Sequence, residues 1–250
     1  MELIIPTLLG FVLVLTRVSA FFVTIPIFSW PSIPASVKIT MALLVTIFFA
    51  TITPFPLHAE EINTMQAVIL IVNEAIYGFA LGLAATMLFM TVKIAGTIIE
   101  QEMGLNMAEI FDPMTGEPAQ AISTFLEMVF ILLLLSANIH HLFLVTVAKS
   151  YELFPLGSPP DLPKLLTGII NAGANMLLFS LKLAAPVLAA SLILMVVLAI
   201  AARVMPDMDI FFMSFPLKIG LGIILIAFML PYIDFYVLEF SRLMNKLLLI

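Results

Sequence analysis

The sequence predicts an all-α fold, a multi-helix integral membrane bundle, and three observations carry that prediction. Hydrophobic residues make up 63% of the 250-residue chain and charged residues only 10%, against about a quarter charged in soluble globular domains. Mean hydropathy is +1.22. Apolar runs of spanning length, roughly 17–25 residues, recur from end to end without a hydrophilic linker, which argues for one domain over 1–250 and leaves no room for a soluble catalytic domain.

Six long apolar segments are expected. The first, 3–27, lacks the basic n-region and small-residue cleavage site of a signal peptide and reads as a retained helix. Pro26, Pro31 and Pro34 separate it from the second, 37–53, which Pro54 and Pro56 end, because proline removes a helix donor and disfavours helix at the residue before it. The third, 67–93, runs on toward Met103, with Gly104 as C-cap. The fourth covers 121–148. The fifth, 166–203, is awkward: about 38 residues make about 57 Å of helix, nearly twice a hydrocarbon core of about 30 Å. Either 165–180 is a separate short helix or the bundle extends well beyond the hydrocarbon layer. The sixth, 210–232, precedes a short amphipathic tail. Only ten Lys and Arg are present, so the positive-inside rule sets no orientation.

Residues 96–120, GTIIEQEMGLNMAEIFDPMTGEPAQ, form the one long polar island. It holds Glu100, Glu102, Glu109, Asp112 and Glu117 and no Lys or Arg. It is either an ordinary extramembrane loop or a structured insert lining a cavity.

Chemical motifs are sparse. There is no H-E-x-x-H, G-x-S-x-G or Walker A pattern, so no catalytic, cofactor or metal residues are assigned. The absence of cysteine removes disulfides, thiolate metal sites and cysteine nucleophiles. Sixteen acids against ten bases argue against a nucleic-acid partner. His140 and His141 are adjacent, and on a helix their side chains diverge by roughly 100°. Asp207 and Asp209 read as a solvated turn beside Arg203. Three intramembrane polar residues remain: Arg17, Glu74 and Glu127. A central arginine costs about 2.5–3.5 kcal/mol by insertion scales. Matched depth in opposed helices pairs it with Glu127, whereas Glu74 lies about 12 Å off in depth by the same arithmetic. The other reading has Arg17 snorkelling to the interface. Gly78 and Gly82 form a G-x-x-x-G stripe that lets helix backbones approach, within the chain or between chains.

The stretches LVLTRVSAFFVTIPIFSWPSIPASVKI (13–39), NEAIYGFALGLAA (73–85), AGTIIEQEMGLNMAEIFDPMTGEP (95–118), LFLVTVAKSYELFPLG (142–157) and LAAPVLAASLILMVVLAIAARVMPDMDIFFMSFPLKIGLG (183–222) occur in one register. In that order they resemble the FliR family, the flagellar biosynthesis protein R, with counterparts in virulence type III secretion. The resemblance implies a non-enzymatic export-gate subunit that joins FliP-like and FliQ-like membrane proteins, with FlhB- and FlhA-like export proteins nearby. It implies transient contact with unfolded export substrates and with membrane lipid. It places the chain in the bacterial inner membrane at the flagellar basal body, partly raised out of the bilayer plane, which fits the overlong fifth segment. It also implies that the loop over 104–120 projects into a pore as part of a plug, with Gly104, Met107, Asp112, Pro113, Met114 and Gly116 as its residues.

The residues themselves suit that role. Non-helical backbone near membrane depth is tolerated only inside protein or a wet cavity, and Gly104, Pro113, Gly116 and Pro118 prevent a continuous helix. Met103, Met107 and Met114 offer flexible apolar contacts suited to an adaptable seal. Two rival functions stand beside this one. A small secondary transporter would use Arg17, Glu74 or Glu127 for coupling but lacks a visible repeat. An intramembrane enzyme lacks any nucleophile-and-base or metal constellation.

Overall fold

A computed structural model describes residues 4–26, 33–53, 63–105, 120–205 and 210–247. Among the described residues there is no strand, and seven helices follow one another: α1 (Ile4–Thr24), α2 (Ala35–Ile52), α3 (Thr64–Met103), α4 (Ala121–Ser136), α5 (His141–Leu153), α6 (Leu162–Val204) and α7 (Ile210–Leu247). Four are long and apolar enough to cross a membrane, or five if α4 and α5 together make one bent span.

Local chemistry sets the ends. Pro34, at φ −57° and ψ 142°, starts α2. Thr53 leaves α2 in extended backbone, φ −86° and ψ 115°, the conformation forced on a residue that precedes proline. Gly104 ends α3 in the left-handed region at φ +76°. Its N–H donates to the Gln101 carbonyl, and the Leu105 N–H reaches back to Glu100. These two bonds form a Schellman cap that satisfies carbonyls the helix leaves free.

Three expectations need correction. Residues 121–148 are not one helix: α4 ends at Ser136 and α5 begins at His141, with a break at Asn138, φ +56°. Asparagine is one of the few side chains that tolerates this region. His140 is the N-cap of α5, and its ring lies 4.2 Å from that of His141, closer than the expected divergence of the two side chains suggests. Residues 165–180 are not a separate helix either. They belong to α6, 43 residues long with Pro186 inside, which at 1.5 Å per residue extends about 65 Å. The tail after 232 continues α7 through Pro231. Its buried Ile233, Tyr236, Val237, Phe240, Leu243 and Met244 keep the helical spacing of a single apolar stripe.

The described helices contribute to two compact units. One comprises Met1–Phe89, Asn138–Ala174 and Phe240–Ile250. Here α1 and α3 run parallel, because Arg17 and Ala20 meet Gly78 while Phe21 and Thr24 meet Gly82. Thr86 Oγ1 adds a 2.7 Å bond to the Thr24 carbonyl. A Cβ on Gly78 would collide with the Arg17 carbonyl, and one on Gly82 with Thr24 Oγ1. The stripe therefore serves packing inside the chain. Helix α2 buries only Ala42, Thr46 and Phe49, on one narrow face, and leaves Ile39, Leu44, Phe48 and Ile52 each about 60% exposed.

The other unit comprises Met90–Ala137 and Asn175–Glu239. Its core holds Val92, Ala95, Ile99, Leu126, Phe130 and Ile226, with the Tyr236 ring 5.6 Å from Phe130 and 5.7 Å from Phe179. Gly96 lies so close to Ser123 that a Cβ there would run into its backbone, and Gly222 makes room for the Met103 side chain.

Candidate functional site

Among the described residues two clusters carry the buried charge, and each uses a charged side chain of one helix to finish the end of another. In the first unit, Arg17 is 1% exposed and Glu74 fully buried. Arg17 Nε donates to Glu74 Oε2 at 2.6 Å. Its Nη1 donates to the Ser150 and Phe154 carbonyls at 3.2 and 3.0 Å, at the C-terminus of α5. That end carries unpaired carbonyls and the negative pole of the helix dipole, so a guanidinium is favoured there. The Tyr77 and Tyr151 rings face the guanidinium carbon at 4.8 and 4.5 Å, an arrangement that suits cation–π attraction. Glu74 spends its other oxygen on the Gly157 N–H at 3.0 Å, in a turn where Gly157 has φ +79°. Tyr77 closes the cluster by donating to the Pro159 carbonyl at 2.7 Å. Two polar atoms, Arg17 Nη2 and Tyr151 OH, are buried without a hydrogen-bond partner among the described residues.

This corrects the expected pairing with Glu127. Arg17 lies level with Gly78, and Glu74 sits one turn toward the N-terminus, about 5.4 Å. Side chains leave a helix tilted toward its N-terminus, and arginine is long enough to cover that turn. Helix α3 also begins at Thr64, earlier than residue 67, which removes a further part of the apparent depth difference. Snorkelling is excluded by the buried head group. Glu127 instead lies 3.4 Å from Lys93, both side chains being partly exposed.

The second cluster stands at the stems of the polar island. Glu100 is 1% exposed, and its Oε1 accepts from the Ile122 N–H at 2.5 Å and the Ser123 N–H at 3.0 Å. These are the two amides that an N-cap side chain would take. The N-cap of α4, Gln120, makes no such bond, so Glu100 caps α4 from α3. Glu102, two residues on and turned to another face, accepts from Ser191 Oγ of α6 at 2.6 Å. A third side is fixed by Met103 against Gly222 and by Gly104 against the Phe215 ring. The end of α3 is thus tied to α4, α6 and α7. Of the residues expected in the loop, Gly104 has this place, while Met107, Asp112, Pro113, Met114 and Gly116 lie outside the described residues, as do Asp207 and Asp209.

In the sequence, Glu100 and Glu102 stand out only as members of an acidic group. A sharper signal was present. Acids in the last turn of a helix oppose its dipole, and a local rule broken in this way points to compensation elsewhere.

Apolar helices of spanning length, closed on themselves by buried ions and helix-to-helix caps, define an integral membrane protein. Comparison with known proteins identifies its kind. The family model described as bacterial export proteins, family 1, matches residues 8–244. The chain is similar to the flagellar biosynthetic protein FliR of Bacillus subtilis (strain 168), 34% identical over 225 residues covering 87% of this chain and 84% of that one. It is 31% identical to FliR of Escherichia coli (strain K12) over 234 residues, 93% and 89% of the two chains. With FliR of Pectobacterium carotovorum subsp. carotovorum the identity is 30% over 218 residues, 87% and 82%. The chain belongs to this family of bacterial export proteins, that of FliR, and is a membrane component of flagellar protein export.

Proposed function

We propose that the chain is a structural, non-enzymatic subunit of the flagellar type III export gate. It forms one export-gate domain that assembles with FliP-like and FliQ-like subunits in the inner membrane at the basal body. The loop over 104–120 helps to close the conduit through which unfolded flagellar proteins pass, and FlhB- and FlhA-like proteins act beside it. The observation that carries this reading is the fixing of the loop stems by Glu100, Glu102, Met103 and Gly104 to three other helices. An ordinary surface loop needs no such foundation, because lengthening it costs only about 0.6 kcal/mol per doubling.

Two further features support the reading. Helix α6 is about twice the length that lipid can cover. Large side chains such as Leu192, Ile193, Val196 and Ile200 lie 60–66% exposed along it, a face that suits partner helices. The transporter reading is less favoured, since Arg17 and Glu74 are committed to each other and to backbone, and Glu127 faces Lys93 at 3.4 Å.

Deleting residues 106–117 and rejoining the chain with a short Gly-Ser linker tests the proposal. The assembled complex is expected to form in normal yield and to let small solutes leak across the membrane. A deleted complex as tight as the intact one would overturn the sealing role.

A further inference from the structure

Among the described residues Glu100 differs from the other fully buried acid, Glu74, in having backbone amides and not an ion pair at its carboxylate. Its carboxylate accepts from backbone amides of another helix, 22 and 23 residues further along the chain. Between them lies the whole polar loop, from Leu105 to Gln120. Gly96, one turn earlier on the same face of α3, touches the Ser123 backbone, so the two helices are already at closest approach when the carboxylate meets α4. The helix it caps has no cap of its own at Gln120. A negative group at that position meets both the free amides and the positive end of the α4 dipole.

We infer that Glu100 is the positioning residue of the loop: by capping α4 from α3, it sets the spacing of the two loop stems and, through that spacing, the seal. The sealing half of this inference rests on the gate reading above. Geometry explains the choice of residue. The carboxylate reaches both amides from a helix that is itself held on two other sides through Glu102 and Met103. Glutamine keeps an acceptor oxygen at the same reach. Aspartate keeps the charge but is one methylene short.

The chain contains no cysteine, so paired labels at Leu105→Cys and Gln120→Cys report the stem spacing without interference. The distance distribution is read by pulsed electron spin resonance in the complete assembled complex, and solute permeability is measured in the same cells. Glu100→Ala is expected to broaden the distribution by several ångströms and raise permeability several-fold, while Glu100→Gln leaves both close to wild type. If Glu100→Ala does not assemble, Glu100→Asp gives the same reading, with broadening expected despite the retained charge. An unchanged distribution in Glu100→Ala or Glu100→Asp overturns the positioning role. Broadening without leak, when deletion of 106–117 does leak, overturns the link from spacing to seal. Broadening without leak in either variant leaves the positioning role standing and removes the gate reading.

Discussion

Arg17 Nε and Glu74 Oε2 are 2.6 Å apart, and the two side chains share a site closed by Tyr77 and Tyr151. Their separation in sequence, 57 residues, makes the pair a long-range tie between α1 and α3. Losing one member leaves the other as a buried charge without its counter-ion, which costs about 3–5 kcal/mol. Arg17→Ala and Glu74→Ala are each expected to lower the stability of the detergent-purified chain by that amount. The double variant should lose much less than the sum. Thermal unfolding of the four proteins, taken as a cycle, checks this, and simple additivity would show that the pair is not coupled.

Arg17→Lys tests whether shape matters beyond charge. A lysine ammonium is compact and cannot make the planar contacts with two tyrosine faces and several acceptors at once. Stability is expected to fall about as far as in Arg17→Ala. A lysine variant indistinguishable from wild type would remove the cation–π and carbonyl contacts from the account.

Gly82 and Gly220 separate close packing from helix propensity. A Cβ on Gly82 meets Thr24 Oγ1, whereas one on Gly220 meets nothing within 4 Å. Gly82→Ala should therefore lower stability by about 1–3 kcal/mol through overpacking, with Thr24→Ala restoring part of the loss. Gly220→Ala in the isolated chain should gain about 0.5–1 kcal/mol. Equal shifts for the two substitutions in a melting experiment would contradict the close α1–α3 contact.

Gly104→Val meets two obstacles, a left-handed backbone and the Phe215 ring 2.9 Å from its Cβ position. The backbone alone costs about 1–2 kcal/mol. The variant is expected to assemble in reduced yield and to leak less than the loop deletion does. Wild-type yield and tightness would mean that the α3 cap is dispensable.

Asn138 gives a parallel test at the α4–α5 break. Asn138→Gly should change stability by a few tenths of a kcal/mol, because glycine enters the left-handed region freely. Asn138→Val should cost about 1–2 kcal/mol. The comparison is made by thermal unfolding, and a valine variant as stable as the glycine one would argue that the break is set by its surroundings.

The membrane class, the proline-bounded ends of α1 and α2, the extension of α3 to Met103 and the G-x-x-x-G stripe are all legible from residue chemistry and period. The α4–α5 break was not, because Asn138 is a weak signal within an apolar run that satisfies a helix on every other count. The partner of Arg17 was missed because depth arithmetic places Cα atoms, while the ion pair is decided by the direction and reach of side chains. Glu100 was visible as an acid but not as a cap, since its partners are backbone amides that sequence pattern does not mark. Most of the loop's named residues, including Met107 and Asp112, lie outside the described residues, and only the stems carry a structural account.

The distance in sequence between Arg17 and its partners also sets a schedule for synthesis. At about 5–20 residues per second, Glu74 follows Arg17 from the ribosome after roughly 3–11 s. Ser150, 133 residues later, follows after roughly 7–27 s on the same clock. During the first interval α1 holds an arginine that its own helix cannot neutralise. An unpaired arginine at that depth costs about 2.5–3.5 kcal/mol, so release of α1 into the bilayer together with α3 is favoured over release alone, and α5 completes the site last.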